Sequence, residues 1–359
     1  MLLRSTCPGR RLGYAPMSLS MHLAALLPDP RVRRARTQLG ISHTTSSVTT
    51  TPPEPPHELR QHYAVSTTEF DSFTIYSVAP MMFGDPSSSS RNEASGNTGV
   101  GSCDNTGVSA VTDTTDPSLH YDPHAEAIDE LRPAQAANRA VLYIPGGDFA
   151  DTITPASWDF VGQLVDADLR VDIPIAGRLP EYTARDAAPV IQRAYRNLVT
   201  DHGSRNITVI ADGSGAALAL GALLSFLPDA TPSHLILIDP WYDLSPQVWR
   251  EDKLGRVASY LKKVGAAWAA GELNNPKINP GVMDHRELTQ WQGTSAHIFV
   301  GGHTQPLRDA RQLTEDFRDA GVPVDLTEVE GTVYLYHLRR TTEGRRDRKE
   351  MTRIAQGKL

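Results

Sequence analysis

The stretch ITVIADGSGAALAL, residues 207–220, decides the fold. It opens on Ile207, Thr208, Val209, Ile210 and Ala211, an apolar and β-branched run without polar alternation, as in a strand buried on both faces. Asp212-Gly213-Ser214-Gly215 then makes a tight turn, and the small and helix-favouring residues Ala216 to Leu220 start a helix. Outward from this unit the alternation repeats. Strands are predicted at 140–144, 170–175, 234–238, 296–300 and 324–329, with helices at 155–167, 183–201, 215–227, 309–320 and 345–356. Strand and helix in turn build right-handed crossovers, hence an α/β protein with a mostly parallel central sheet and helices on both faces. Residues 67–78, with Asp71-Ser72 at their middle, read as two short antiparallel strands at the N-terminal edge, and 246–271 as a helical stretch outside the alternation.

The remaining sequence limits the function classes. A chain of 359 residues holds one large α/β domain with additions. Its net charge of -7 argues against a nucleic-acid partner, because the basic runs at 31–36 and 339–349 are short and terminal. Cys7 and Cys103, the only cysteines, supply neither a disulfide framework nor a thiolate metal site, which fits a reducing cytoplasm. The apolar stretch at 17–27 is shorter than the ~20 residues that span a bilayer and reads as a short amphipathic helix. Residues 42–57 are a Thr/Ser/Pro linker that closes a flexible tail over 1–57, and 84–138 a low-complexity insertion within a domain running from 58 to 359. His120, His124 and Glu126 have ligand-like side chains, but lie in that insertion with no fourth partner, so no metal site is expected.

Three motifs carry a resemblance. VLYIPGGDF (141–149) leaves a strand into a Gly-Gly turn, ITVIADGSGAALAL has a strand, turn and small-residue helix, and SHLILIDPWYDLS (233–245) continues the next strand into Pro-Trp-Tyr-Asp-Leu. Together they resemble the hormone-sensitive-lipase-like carboxylesterases of the α/β-hydrolase fold. In that family the same blocks hold a His-Gly-Gly-Gly oxyanion turn, a Gly-Asp-Ser-Ala-Gly-Gly nucleophile elbow and a structural acid. ITPASWDFVGQLVDA, RLPEYTARDAAPVIQRAYRNL and AGVPVDLTEVEG agree with the family's linking segments in order. The resemblance implies an α/β-hydrolase fold with a small helical cap over 246–290, ancestry in carboxylic-ester hydrolysis, and no cofactor.

The catalytic positions depart from that pattern. Laid on the elbow without gaps, the nucleophile falls on Gly213, which has no side chain to attack a carbonyl. In EVEGTVYLYH (328–337) the histidine falls on Tyr334, whose phenol cannot shuttle protons at neutral pH as imidazole does. The acid falls on Thr304 or Gln305 in GGHTQPLRD. In the oxyanion turn Pro145 replaces the histidine and Asp148 the third glycine, leaving Gly146 and Gly147 as the remaining backbone donors.

A relocated triad is the rival arrangement, with Ser214 as nucleophile, His337 as base, and Asp309, His303 or Asp243 in support. Against it stand plainer roles: a helix-start hydroxyl capping backbone N–H groups for Ser214, and a surface site for His337. Asp239 and Asp243 flank Pro240-Trp241 and could be read as paired carboxylates, yet Asp243 matches a position that the family commonly holds as a structural acid, and the five tryptophans read as core and cap packing. Tyr334 and Tyr336 are expected where substrate would enter, lining a pocket or a packed rim. The sequence therefore points to an esterase-like or lipase-like fold that is catalytically impaired and binds a small apolar ester-like molecule or a protein partner.

Overall fold

The computed structural model describes residues 54–81, 137–151, 153–245 and 255–358. The expected tail helix, the linker up to residue 53, nearly all of the 84–138 insertion, both cysteines, His120, His124, Glu126 and Trp249 lie outside the described residues, while 54–57, the end of the expected linker, are described and lead into a helix at His57. A short helix α1 (His57–His62) leads into strands β1 (Tyr63–Phe70) and β2 (Phe73–Pro80), longer than expected and joined at Asp71-Ser72. Then follow β3 (Ala140–Ile144), α2 (Pro155–Val165), β4 (Arg170–Ile175), α3 (Ala184–His202), β5 (Ile207–Asp212), α4 (Ser214–Leu223) and β6 (His234–Ile238). The C-terminal part adds α5 (Gly255–Ala269), α6 (His285–Thr289), β7 (Ser295–Gly301), α7 (Leu307–Asp319), β8 (Val324–Val329) and α8 (Thr342–Ala355).

The strands form one sheet in the order β1-β2-β4-β3-β5-β6-β7-β8. Only β1–β2 and β2–β4 pair antiparallel; every other pair is parallel. This is the expected sheet with its antiparallel N-terminal edge. Each residue of β3, β5 and β6 is buried, which explains why those segments lack polar alternation. On one face α3, α4 and α7 bury Val190, Ala194, Leu198, Leu220, Leu313 and Phe317; on the other α2 and α8 bury Trp158, Phe160, Met351 and Ile354. Helix α7 shows the spacing that does this, with Ala310, Leu313, Thr314 and Phe317 on its inner stripe.

Local chemistry sets the boundaries. Thr154 and Ser157 form a reciprocal cap on α2, with Pro155 in its first turn. Asp186 accepts the N–H and hydroxyl of Thr183 at the start of α3. Helix α4 stops at Leu223, four residues before the expected end. Because β4 and β5 flank β3, the chain reverses its direction of winding there, so the loops after β3 and β5 open side by side at the carboxyl ends of the strands. No helix among the described residues is long and apolar enough to cross a membrane.

Candidate active site

Gly213 forms the bend between β5 and α4 with φ 53° and ψ -123°. A side chain holds that backbone only under strain, so glycine fits it without cost. The bend is clamped: the Gly213 N–H donates to the Ile238 carbonyl at 2.9 Å, and its own carbonyl accepts the Trp241 N–H at 2.9 Å. A Cβ added at Gly213 would run into the hydroxyl oxygen of Tyr334. The two positions at which nucleophile and base were expected therefore face each other, with the phenol filling the room a side chain at 213 would need.

Beneath the bend, the buried Asp212 joins β5 to the turn after β3. Its Oδ1 accepts the Gly146 N–H at 2.6 Å, and its Oδ2 accepts the Tyr143 hydroxyl at 2.6 Å. Burial and the neighbouring carboxylate push Tyr143 well above the ordinary tyrosine range. The Gly146 donor is thus committed to Asp212 rather than directed at an incoming oxygen. Its lack of a side chain is required, because a Cβ there would lie 2.8 Å from Asp212 Oδ1. The Gly147 carbonyl accepts the N–H groups of Ala150 and Asp151 at 3.0 and 2.9 Å, and Asp148 and Phe149 both take φ 54°, closing a tightly wound turn. Asp148 is buried inside it.

The rescue residues Ser214, His337 and Asp309 make no hydrogen bond to one another. Ser214 is buried at the first position of α4, just after the N-cap Gly213, and its Oγ accepts the Phe149 N–H at 3.4 Å. It secures the turn after β3 instead of capping its own helix. His337 is fully buried, contrary to the surface site expected for it, because the 3₁₀ turn Tyr336–Leu338 folds it inward against Phe160, with ring centroids 5.9 Å apart. Neither of its ring nitrogens has a hydrogen-bond partner, so no hydrogen bond joins it to Ser214. Its Nε2 lies 3.7 Å from Asp212 Oδ2, beyond hydrogen-bond length.

The supporting acids act elsewhere. Asp309 on α7 accepts the N–H groups of Tyr242 and Asp243 at 3.0 and 3.3 Å, and burial raises its carboxyl to about 6. Asp243 accepts the N–H and hydroxyl of Ser245 and the side-chain amide of Asn279. His303 is exposed. In the acid loop the Thr304 hydroxyl reaches Asp239 Oδ1 at 3.2 Å and the Gly301 carbonyl at 2.7 Å, while Gln305 Oε1 is buried without a partner. Tyr336 does not line an entrance as expected; it is fully buried and donates to Asp347 at 2.7 Å. Above the turn, Phe149 stacks on Trp268 of α5, centroids 4.4 Å apart and planes 7° apart, with Trp241 at 5.2 Å.

A family model described as alpha/beta hydrolase fold matches residues 141–338, more than half of the chain. The chain belongs to the α/β-hydrolase fold family. An acetyl-hydrolase of Streptomyces hygroscopicus is 26% identical over 218 residues, covering 58% of this chain and 71% of that protein. A triacylglycerol lipase of Mycobacterium tuberculosis is 25% identical over 161 residues, covering 43% of this chain and 33%, or about a third, of the lipase. Among solved structures, a carboxyl esterase of the mycorrhizal fungus Tuber melanosporum superposes with a TM-score of 0.63 at 10% identity, covering 96% of this chain and 100% of that one.

Within this α/β hydrolase, sequence reasoning missed two participants. Tyr143 is the one residue of the buried run AVLYI with a polar tip, and a buried hydroxyl needs a partner, so its pairing with a carboxylate had a legible trace. The role of Asp239, whose carboxylate reaches the backbone of two other loops, had none: its partners lie 62 and 96 residues away.

Proposed function

We propose that this α/β hydrolase is catalytically impaired and serves as a binder of a small apolar ester-like molecule or of a protein partner. One observation carries the reading: the elbow residue is Gly213, and the hydroxyl of Tyr334 fills the space a side chain there would occupy. Acyl transfer needs a nucleophile at the elbow and a base that exchanges protons near neutrality, and neither residue type supplies its part. The names of the relatives, a triacylglycerol lipase and an acetyl-hydrolase, support an origin in carboxylic-ester hydrolysis. On this reading residues 58–359 form one hydrolase domain in which 246–290 is the cap, and the protein works in the cytoplasm.

A serine esterase with a relocated triad finds less support, since the Ser214 hydroxyl is engaged with Phe149 N–H and His337 has no bonded partner. Incubating the purified full chain with p-nitrophenyl acetate and a fluorophosphonate probe tests the choice. We expect no turnover above background and no adduct. Turnover that disappears in Ser214→Ala overturns the reading.

A further inference from the structure

Helices α2 and α8 and the loop before α8 border a cavity of about 320 Å³, lined by Ala156, Asp159, Gln163, Leu338, Arg340 and Arg348. Ala156, Asp159 and Gln163 stand three and four residues apart, so one face of α2 forms a wall of it. Arg348, on α8, is only 6% exposed. Its Nε donates to Gln163 Oε1 at 2.9 Å and its Nη1 to the carbonyls of His337 and Arg339. All three acceptors are neutral. Its Nη2 donates to no described residue and is not sealed from solvent, so it opens into the cavity that Arg348 lines.

A buried guanidinium without a counter-charge is costly unless something negative comes to it. Burial and then Arg345 lower Arg348 below the ordinary arginine value; Asp159 opposes this and Arg340 adds to it. Three guanidiniums thus meet one carboxylate, a surplus of two positive charges. Asp159 does not cancel Arg348, because its bond, at 3.0 Å, goes to Arg340, and both of these side chains are exposed.

We infer that this cavity binds the phosphate group of a small phosphate monoester. Such a group carries about −1.5 to −2 charge near pH 7, which matches the surplus, whereas a carboxylate would leave half of it unmatched. Its oxygens also suit the planar donors of Arg348 and Arg340. An incoming phosphate competes with Asp159 for Arg340, so Asp159 limits the affinity. This site goes beyond the proposed function and stands whether or not the chain turns over esters.

Calorimetric titration of the full chain with phenyl phosphate at low salt, with acetate as the monovalent comparison, tests the inference. We expect saturable binding at least about tenfold tighter than that of acetate. Arg340→Gln should weaken it by about threefold, and Asp159→Asn should tighten it by about as much; both changes fall on exposed side chains and spare the fold. Arg348→Gln should abolish binding, and if that chain does not fold, the two exposed variants decide. Arg353→Gln, which alters an exposed α8 arginine paired with Glu350, should leave the affinity unchanged. Absence of saturable binding, equal affinity for acetate, no tightening in Asp159→Asn, or equal weakening by Arg340→Gln and Arg353→Gln would each overturn the inference. Binding confined to phosphatidylcholine vesicles carrying phosphatidic acid, with none to phenyl phosphate, would overturn it as well and mark a membrane-facing patch instead.

Discussion

The hydroxyl of Tyr334 lies over the α-carbon of Gly213, where a side chain at the strand-to-helix bend would project. Tyrosine can stand there because residue 213 is glycine, and the arrangement makes each residue a condition for the other. Gly213→Ala should cost about 2–4 kcal/mol, from a positive φ and a steric clash. Tyr334→Phe removes the clashing oxygen and leaves its ring carbon Cζ 3.3 Å from the new Cβ, close but tolerable. A double-mutant cycle by urea denaturation should therefore give a coupling of at least about 1 kcal/mol, and strict additivity would refute the contact.

Tyr143 and Tyr63 each donate to an aspartate at 2.6 Å, the first buried and the second exposed. Tyr143→Phe deprives a buried carboxylate of a donor and should destabilise by about 1–3 kcal/mol. Tyr63→Phe, where water can replace the lost bond, should stay within about 0.5 kcal/mol. Chemical denaturation of the two variants side by side checks this, and equal losses would mean that burial does not set the cost.

Two buried groups tilt the acid limb of the stability curve in opposite directions. Burial, then His297, Arg139 and Arg205, lower His234 from 6.5 to about 4, so the stability it contributes is present above 6.5 and lost as pH falls through 4. Burial raises Asp309 from 3.8 to about 6, so its contribution is full below 3.8 and lost as pH rises through 6. Asp309→Asn should raise stability at pH 8 by about 1–3 kcal/mol, because its amide oxygen can still accept the same N–H groups. The variant should also lose stability more steeply than wild type between pH 6.5 and 4. Thermal melts across that range would reveal parallel curves if either sign were wrong.

Trp268 is 1% exposed and stacks on Phe149, linking α5 to the turn after β3. Trp268→Ala should cost about 3–5 kcal/mol from lost contacts and the cavity left behind. Trp268→Phe should recover more than half of that, since it keeps a ring on Phe149. If urea midpoints did not separate the two variants, the stack would not be what holds the helix.

The sheet was legible because its signal is local. Buried runs such as AVLYI and HLILI, separated by amphipathic or small-residue helices, specify parallel strands whatever the distant residues do. The glycine at the bend after β5 and the tyrosine at 334 could also be read directly, since a sequence reports residue identity. Motifs do not report burial. His337 was expected at the surface because it lies three residues beyond Tyr334, but the 3₁₀ turn rotates it against Phe160.

By itself, then, the sequence determined the α/β architecture, the mostly parallel sheet with its antiparallel N-terminal edge, and the identities of the residues at 213 and 334. The tertiary structure alone decided that Tyr334 covers Gly213, that Ser214 points to the Phe149 N–H, and that Asp239 spans the loops of Thr304 and Leu335. The physical reason is range. Secondary structure follows from side chains a few residues apart, whereas a site at the strand ends is assembled from loops that meet only when the sheet has closed.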